Sequence, residues 1–488
     1  MSAHAGITVI GYDGTPLTPE ARLALDRATL VVGGMRHLDA LVSQDSGVAR
    51  VMLGPLATAL EALAAHDGPA SVLASGDPGF FGILRALREA GLEPEAVLPA
   101  VSSVAAAFAR AGIAWDDAVV VSAHGSGDGR ELRRAANVCR ARPKVALLTG
   151  PGAGPAQLAR ELLHGAGDAV VQRVLVVAQR LGHSPSIINR PNQAQWINTE
   201  NPKTSSYQRG PKPATGPRDN HDGDESGSGS GKAEGDGDGA DWLGERVEWL
   251  SLVEAAQRED FTEPNVVLCL APSALPAGPG EATGSSSTPR LLPSKRWLAG
   301  WAGHRGEWAV DESSFAHRDG QVTKAEVRAH VLPRLAPSPG DLVWDIGAGS
   351  GSVGIECAAF GAAVVAVERD DESCTRIAAN AAAHGVELSV CCGKAPDVLP
   401  ALPQPDAVFV GGGGVEVVRA VLTYRPARVV VALAGVERVG PVVALLESDG
   451  RSVGGVLSQS SRMAALPDGT HRFVAVNPVY VVWGVSCD

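Results

Sequence analysis

The sequence predicts an α/β protein built from two consecutive units of alternating strands and helices. Short apolar runs of strand length alternate with helical patterns in both halves of the chain, which is typical of parallel sheets covered by helices. In the second half, one apolar strand ends in Asp345 before a glycine-rich turn, and the next ends in Glu368. Two stretches rich in Pro, Gly, Ser and Asp, at about 184–241 and 272–293, lack this pattern. They separate a front block from a back block.

The composition is that of a globular protein with two or three domains, since the chain has 488 residues and domains average about 150. Hydrophobic residues make up 45% of the chain but aromatic residues only 4%, so aliphatic side chains must fill the cores. The seven cysteines are scattered and form no C-x-x-C pair. We therefore predict neither a disulfide framework nor a zinc site, as expected in a reducing cytoplasm.

The net charge of −12 is partly local. Residues 216–241 hold eight acids and two bases, a net of −6, so the rest of the chain is only mildly acidic. An acidic chain is not expected to bind nucleic acid, which attracts basic protein surfaces, although net charge alone excludes few functions. The first ten residues lack a signal-peptide pattern, and no run of about 18 apolar residues predicts a membrane span.

The front block has six predicted strands before its polar segment and one after it. These strands cover 7–11, 30–33, 71–74, 119–121, 145–148, 174–177 and 265–270. Thr18 is the predicted cap of a helix over 19–28, and Ser102 the cap of another, because hydroxyls accept the free N–H groups of a first turn. The last strand implies that 184–241 interrupts one domain, which a long surface insertion does at small cost. The predicted boundaries are 1–271 for the front domain, 272–296 for the linker and 297–488 for the back domain.

The back block repeats the alternation. Its predicted strands cover 342–345, 363–367, 388–390, 407–410, 429–432 and 478–483. Before them, Thr323 and Glu326 form a capping-box pattern at the start of a helix. Val327, Val331 and Leu335 share one face of that helix. The block therefore predicts a second sheet with its own core.

The turn after Asp345 is the strongest indication of a ligand. Glycines at 347, 349 and 351 let a ligand lie against bare main chain, and the following helix begins with unpaired N–H groups. Glu368 lies 23 residues after Asp345, where an acid can accept hydrogen bonds from both ribose hydroxyls. The glycine spacing favours a nucleoside without a pyrophosphate, such as S-adenosylmethionine. A dinucleotide site or a turn without a ligand is the alternative.

Other candidate residues surround this turn. Residues 393–396 follow the third strand, where an adenine edge would be gripped, and 411–414 follow the fourth, where a substrate would approach. Both segments also fit ordinary turns. Lys324 and Arg328 could receive an anionic substrate, because paired cations suit carboxylates, although a solvated helix face explains them equally well.

The front block has one distinctive loop, at 75–82. Its Asp77-Pro78 pair fixes a turn, and the glycines on either side permit close approach. Ser102 opens a helix, and His124 lies just past a strand end. Each also has a structural explanation, as a plain turn, a helix cap or a lone histidine.

On these motifs the two blocks resemble known families. The front block is similar to the tetrapyrrole methylases, in particular the cobalamin-pathway subunit that methylates ring carbon 5, in its segments 9–14, 32–38, 75–78, 102–104 and 122–125. The back block resembles the subunit that methylates carbon 15 and decarboxylates the ring C acetate, in its segments 315–328, 344–351 and 477–479. The whole chain is similar to the fused precorrin-6B C5,15-methyltransferases (decarboxylating). It departs from them by four residues between His124-Gly125 and Arg130 and by the insertion after Gly182.

The resemblance implies a two-lobed tetrapyrrole methylase fold followed by a Rossmann-like class I methyltransferase fold, with S-adenosylmethionine in both and a precorrin as substrate. In the back site it implies cofactor contacts from Asp345, Gly347, Ala348, Gly349, Ser350, Gly351, Glu368, Ala395 and Gly411. In the front site the corresponding residues are Gly11, Gly76, Asp77, Pro78, Phe80, Ser102 and Ser103. Candidate catalytic residues are Thr323 and Lys324, and candidate substrate residues are Arg328, Gly412 and His124. Methyl transfer requires no metal.

Two other functions remain as alternatives. A nucleic-acid methyltransferase with an accessory front domain would need a basic face and an Asn-Pro-Pro-Tyr motif, whereas residues 477–480 read Asn-Pro-Val-Tyr. A single-site corrinoid methyltransferase would carry an inactive front module that only binds tetrapyrrole. We expect instead a bifunctional, cytoplasmic homo-oligomer without nucleic-acid or membrane partners.

Overall fold

The computed structural model describes residues 6–54, 56–123, 129–164, 172–182, 187–189, 244–275, 299–300, 307–318 and 322–487. Within these ranges the chain forms three sheets of five, six and seven strands and one two-stranded hairpin. His124, nearly all of the predicted insertion and most of the predicted linker lie outside the described residues.

The first sheet contains β1 (Ile7–Tyr12), β2 (Leu30–Gly33), β3 (Ala49–Met52), β4 (Ala70–Ser75) and β5 (Ala96–Leu98). Its helices are α1 (Pro19–Arg27), α2 (Met35–Leu41), α3 (Leu56–Ala64) and α4 (Ile83–Glu89). All five strands are parallel, in the order β3-β2-β4-β1-β5, as the alternation predicts. Thr18 Oγ1 accepts the Ala21 N–H at 3.2 Å, which confirms the predicted cap. Because the five strands are parallel, their carboxyl ends lie at the same end of the sheet.

The second sheet contains β6 (Val119–Ser122), β7 (Lys144–Leu148), β8 (Val174–Gln179), β9 (Ile187–Asn189), β10 (Arg246–Ser251) and β11 (Asn265–Leu270). Its helices are α5 (Ser103–Ala111), α6 (Arg130–Ala141), α7 (Pro155–Leu163) and α8 (Leu252–Gln257). The strand order is β6-β7-β11-β8-β10-β9.

The prediction of a parallel sheet is wrong for this second lobe. Strand β11 runs antiparallel to β7 and β8, and β10 runs antiparallel to β8, whereas the β6–β7 and β9–β10 pairs are parallel. Strands β8 and β10 flank the predicted insertion and pair directly, with Gln179 opposite Arg246. The two ends of the insertion therefore lie side by side.

The back sheet contains β12 (Leu342–Ile346), β13 (Ala363–Glu368), β14 (Ser389–Cys392), β15 (Ala407–Val410), β16 (Arg428–Leu433), β17 (Ser452–Ser458) and β20 (Val479–Val485), and the hairpin consists of β18 (Ser461–Ala465) and β19 (His471–Ala475). Its helices are α9 (Ala325–Leu335), α10 (Ser352–Ala359), α11 (Asp371–Ala383), α12 (Gly414–Leu422) and α13 (Val439–Ser448). The order is β14-β13-β12-β15-β16-β20-β17, with the last two strands antiparallel to their neighbours.

Both faces of the back sheet are buried. Trp344 and Val408 face one core, and Val343 and Phe409 face the other, because side chains alternate along a strand. A central strand covered on both faces reads as a continuous apolar run, as β12 and β15 do in the sequence.

The front block contacts the back sheet at the amino ends of its strands, which is the end opposite to Asp345. Asn137 on α6 donates its side-chain amide to Gly340 O at 3.0 Å, just before β12. Arg133 pairs with Asp406 at 2.7 Å, just before β15. These contacts leave the carboxyl ends of the back strands facing away from the front block.

Two local predictions are wrong because distant segments intervene. The Thr323 side chain does not cap α9; Glu312 Oε1 accepts the Ala325 N–H at 2.6 Å, and Glu326 pairs with Arg462 at 2.6 Å. Cys374 and Cys392, 18 residues apart, form a disulfide, since α11 folds back along β14. In the described part of the chain, every helix is too short or too polar to cross a lipid bilayer.

Candidate active sites

The turn after β12 depends on glycine. Gly347, Gly349 and Gly351 have φ values of +71°, +58° and +77°, which other residues rarely adopt. A Cβ on Gly347 would lie 2.9 Å from Gly412 N. The turn therefore lies directly against the loop after β15, so the structure brings together two segments that the sequence analysis places in one site.

Asp345 is a buried acid at the base of this turn, only 1% exposed. Its Oδ2 accepts the Gly354 N–H at 2.8 Å, whereas its buried Oδ1 has no hydrogen-bond partner among the described residues. Burial, aided by the negative charge of Glu368, raises the pKa of Asp345 to about 7. An unsatisfied buried acceptor is costly, so this carboxyl group is suited to a ligand that carries a donor or a positive charge.

Glu368 is held in a fixed position at the end of β13. Its Oε2 accepts the Gly349 N–H at 2.9 Å, and its Oε1 accepts the N–H groups of Arg369 at 2.8 Å and Asp370 at 3.1 Å. A carboxylate has about four acceptor positions, so one remains free for a further donor. The acid therefore links the glycine turn to its own strand and keeps the capacity to bind a hydroxyl group.

The remaining predicted residues of the back site lie on the same sheet edge. Gly393 N donates to Glu368 O at 2.8 Å, so the loop that carries Ala395 follows β13 closely. Ala348 N and Gly411 N donate to neighbouring strand ends at 3.2 and 2.8 Å. In an open α/β sheet this edge is where ligands bind.

Two residues that support the turn were not predicted. Gly354 lies on α10 against Asp345, and glycine inside a helix is a recognisable signal of close packing. Asn380 on α11 donates to Ser350 O and to Ala316 O at 2.9 Å each, and its Oδ1 accepts the Ala316 N–H at 2.8 Å. Asn380 thereby connects the segment before α9 to the glycine turn. An asparagine within an alanine-rich helix is the only sequence signal of that role.

Arg328, a predicted substrate residue, has its guanidinium group in the protein core, where protein groups occupy it. The side chain is fully buried, its Nε donates to Glu356 Oε1 at 3.0 Å, and its Nη atoms donate to the carbonyls of Thr323 and Val310. Lys324, by contrast, is partly exposed, and its ammonium has no hydrogen-bond or ion-pair partner among the described residues. Thr323 is also partly exposed, and its catalytic role stays a prediction.

The front candidates converge where β1, β4 and β5 end. A Cβ on Gly11 would lie 2.1 Å from Gly76 O and 2.6 Å from Ala100 N, so only glycine allows these loops to meet. Gly76 has a φ of +61° and packs against Val101. The three loops form one bare backbone surface at the sheet edge.

Side chains stabilise these loops. Asp77 Oδ1 accepts the Gly79 N–H at 2.8 Å, and Ser102 Oγ accepts the Ala105 N–H at 3.1 Å, which confirms the predicted cap. Pro78 is buried, Ser103 begins α5 and is partly buried, and the ring of Phe80 is 37% exposed beside the loop.

The second lobe closes on the same region. Gly182, just after β8, packs against Asp13 and Gly14: a Cβ on Gly14 would lie 2.7 Å from Gly182 O. Glu245 Oε2 accepts the Gly182 N–H at 3.1 Å, and Glu245 also pairs with Arg110 at 2.5 Å. The front candidates therefore lie close to the place where the second lobe packs against the first.

Comparison with known proteins gives both blocks a family. The "Tetrapyrrole (Corrin/Porphyrin) Methylases" profile matches residues 13–184, and the "Precorrin methyltransferase domain" profile matches 313–485. The precorrin-6Y C(5,15)-methyltransferase [decarboxylating] of Sinorhizobium sp is 34% identical over 414 residues, which cover 83% of this chain and 78% of the relative. The cobalt-precorrin-7 C(5)-methyltransferase of Salmonella typhimurium is 36% identical over 182 residues, 36% of this chain and 85% of the relative. Among solved structures, the C-terminal domain of precorrin-6Y C5,15-methyltransferase from Rhodobacter capsulatus shows 31% identity and a TM-score of 0.33, covering 36% of this chain and 97% of that chain.

The geometry of the back site fits S-adenosylmethionine. Asp345 offers an unsatisfied carboxylate oxygen to a cationic ligand, Glu368 offers an acceptor to ribose hydroxyls, and the glycine turn leaves room for the ligand against bare backbone. The chain therefore belongs to the precorrin-6Y C5,15-methyltransferase (decarboxylating) family of cobalamin biosynthesis, S-adenosylmethionine-dependent enzymes that join a tetrapyrrole methylase domain to a Rossmann-like methyltransferase domain.

Proposed function

We propose that the front domain, residues 1–271, methylates ring carbon 5 of a precorrin, and that the back domain, residues 297–488, methylates carbon 15 and removes carbon dioxide from the ring C acetate. The observation that supports this division is that the candidate residues form two separate clusters. One lies at Gly11 and Gly76, and the other lies at Asp345 on a sheet edge that faces away from the front block. The relative named for the carbon 5 reaction alone matches over 182 residues, the size of one domain.

In the back site, we assign Asp345 and the turn 347–351 to the methionine part of the cofactor, Glu368 to its ribose and Ala395 to its adenine edge. Gly411 completes the wall beside the turn. The cofactor supplies an electrophilic methyl group on a sulfonium sulfur. Because the displacement is in line, the protein has to align the two partners and exclude water. The hydrogen bonds that fix Glu368 and the turn supply that rigidity.

The tetrapyrrole is proposed to lie over Gly411 and Gly412, where no side chain rises from the loop. Lys324 replaces Arg328 as the candidate partner of a substrate carboxylate, because it is partly exposed and forms no ion pair within 4.0 Å among the described residues, although its charge acts on Glu312. Loss of carbon dioxide breaks a carbon–carbon bond and leaves an electron pair, which the conjugated ring absorbs until a proton takes the place of the carboxylate. Thr323 stays a candidate for contact with the reacting part of the substrate.

In the front site, we assign Gly11, Gly76, Asp77, Pro78, Phe80, Ser102 and Ser103 to a second cofactor. The bare backbone of Gly11 and Gly76 supports this assignment, since a ligand can approach it closely. Asp77 and Ser102 hold the loops by hydrogen bonds to their own backbone.

We also propose that the enzyme is a homo-oligomer joined through the hairpin β18–β19. Met463 and Phe473 are cross-strand neighbours and are 65% and 73% exposed. A two-stranded hairpin with an uncovered apolar pair is marginal by itself, so a second copy of this chain is the proposed cover. The cytoplasmic location and the absence of nucleic-acid or membrane partners stay predictions from composition.

Mass spectrometry of reaction products tests the division of labour. The full chain, incubated with a precorrin-6 substrate and methyl-labelled cofactor, should add two methyl groups and release one carbon dioxide. Asp345→Ala should lose the carbon 15 reaction, and Gly11→Val should lose only the carbon 5 reaction. A mixture of the two variants should restore the full product, because each keeps one intact site. A mixture no better than its components, or methyl transfer to nucleic acid instead, would overturn the proposal.

A further inference from the structure

Arg36 is a partly buried cation that no acid among the described residues neutralises. Its Nη2 donates to His37 Nε2 at 3.0 Å and to Ser75 Oγ at 3.3 Å, and both of these partners are neutral. Among the described residues, no carboxylate lies within 4.0 Å of its guanidinium group. A cation that has lost part of its hydration without gaining a counter-ion is unusual, because such groups are normally paired.

His37 holds Arg36 in place. The imidazole is 5% exposed, and burial together with the neighbouring charge of Arg36 lowers the pKa of His37 to about 4. The ring is therefore neutral near pH 7 and accepts the Arg36 hydrogen bond through Nε2. Tyr12 packs edge-on against the ring, with centroids 5.7 Å apart, which fixes its plane.

The position of this cluster connects it to the front site. Ser75 is the last residue of β4 and directly precedes Gly76, and Tyr12 is the last residue of β1 and directly follows Gly11. Arg180 follows β8 in the second lobe, and its positive charge adds to burial in lowering the pKa of Arg36. Both lobes therefore place a cation beside the proposed cofactor loops.

We propose that Arg36, oriented by His37 and Ser75, is a carboxylate-binding subsite of the front site and receives an acetate or propionate side chain of the tetrapyrrole. The planar guanidinium group suits a carboxylate, and a partly desolvated cation gains more from an anion than an exposed one does. This inference rests on the proposed carbon 5 reaction of the front domain. In it, Arg36 binds substrate and His37 is a positioning residue.

The subsite predicts a defined kinetic signature. A carboxylate held away from the reacting carbon contributes to binding, so its loss should raise KM more than it lowers kcat. Arg36→Gln keeps the polarity of the side chain but removes its charge, and should weaken tetrapyrrole binding by about tenfold or more. Arg36→Lys restores the charge without the planar fork and should recover part of the affinity.

The role of His37 has its own test. His37→Gln keeps an acceptor near the position of Nε2 and should retain most of the affinity for tetrapyrrole. His37→Leu removes that acceptor and should approach the Arg36→Gln variant. A purely structural role would instead lower thermal stability in both variants while leaving their KM values equal to that of the native enzyme.

The experiment uses the full chain with the decarboxylated, carbon-15-methylated precorrin as substrate. KM and kcat for the carbon 5 reaction are measured, together with equilibrium binding of the tetrapyrrole and of S-adenosylmethionine. Arg22→Gln is the matched control, since Arg22 is 54% exposed on α1 and pairs only with Asp26. We expect the Arg36→Gln variant to lose tetrapyrrole affinity and to retain S-adenosylmethionine binding.

The outcomes separate the subsite from the function on which it rests. If the native enzyme does not methylate carbon 5, the proposed function fails, and the tetrapyrrole binding data still decide the subsite. Equal tetrapyrrole affinity in the native and Arg36→Gln enzymes would overturn the subsite. If Arg36→Gln does not fold, Ser75→Ala carries the same test, because it removes one of the two hydrogen bonds that orient the guanidinium group.

Discussion

Gly354 donates its amide hydrogen to Oδ2 of Asp345 at 2.8 Å, and a Cβ on Gly354 would lie only 2.9 Å from the same oxygen. Helix α10 therefore packs its backbone directly onto the acid at the base of the glycine turn. Oδ2 of Asp345 therefore has a hydrogen-bond partner in its buried position. Oδ1 is also buried and has no hydrogen-bond partner among the described residues. The apo site thus carries an electrostatic cost that a cationic ligand can relieve.

This arrangement predicts an unusual pH dependence of local stability. Because burial raises the pKa of Asp345 to about 7, the folded state holds a proton that the unfolded state releases above pH of about 4. Stability of the apo back domain should therefore fall as pH rises from about 4 to about 7, by up to about 4 kcal/mol. Asp345→Asn should remove this dependence and also lose cofactor binding.

Hydrogen-exchange mass spectrometry of peptides covering β12 and α10 measures this effect locally. Asp397→Asn, at an exposed position near the same sheet edge, is the control and should keep the native pH dependence. Identical pH profiles for the native and Asp345→Asn proteins would show that the buried acid does not destabilise the apo site.

Gly347→Ala should abolish cofactor binding in the back site. The added Cβ combines a φ of +71° with a distance of 2.9 Å to Gly412 N, so the two loops must separate. Gly450→Ala is the matched control, because Gly450 has a φ of +75° and open space around it. The control should cost about 1 kcal/mol of stability without affecting binding. Calorimetry with S-adenosylmethionine distinguishes the two variants. Unchanged binding in Gly347→Ala would contradict the assignment of this turn to the cofactor.

Arg328→Met should destabilise the back domain by about 3–5 kcal/mol, since it leaves Glu356 charged and buried without a counter-ion, with only the backbone N–H groups of Ala309 and Val310 to stabilise it. The double change Arg328→Met with Glu356→Gln should be less destabilising than the single one, because it removes the orphaned charge. Arg419→Met, at a position 61% exposed, should stay within about 0.5 kcal/mol of the native protein. Chemical unfolding measures all three. A double variant that is worse than Arg328→Met alone would count against this explanation.

The hairpin predicts the oligomeric state. Replacing Met463 and Phe473 together by Ser should lower the molecular mass in light scattering, because the apolar pair that a second copy covers is lost. Leu23→Ser, at a position 50% exposed on α1, should leave the mass unchanged. A native protein that is already monomeric, or a double variant with native mass, would exclude this interface.

Local features of the sequence were sufficient to predict much of the fold and the grouping of Asp345, Glu368 and the glycine turn at the candidate back site. The strand ending in Asp345, the strand ending in Glu368 and the glycines between them are recognisable because strand periodicity and positive φ are properties of short segments. The caps at Thr18 and Ser102 were predictable for the same reason, since donor and acceptor lie three residues apart.

Only the tertiary structure decided which polar side chains are available to a ligand. Arg328 and Arg36 look alike in sequence, yet one is buried against Glu356, 28 residues away, and the other meets Ser75, 39 residues away, without an acid. The capping of α9 by Glu312, the antiparallel pairing of β8 with β10 and the Cys374–Cys392 disulfide likewise join segments distant in the chain. Local propensity carries no information about such contacts, because they depend on how complete elements pack in space.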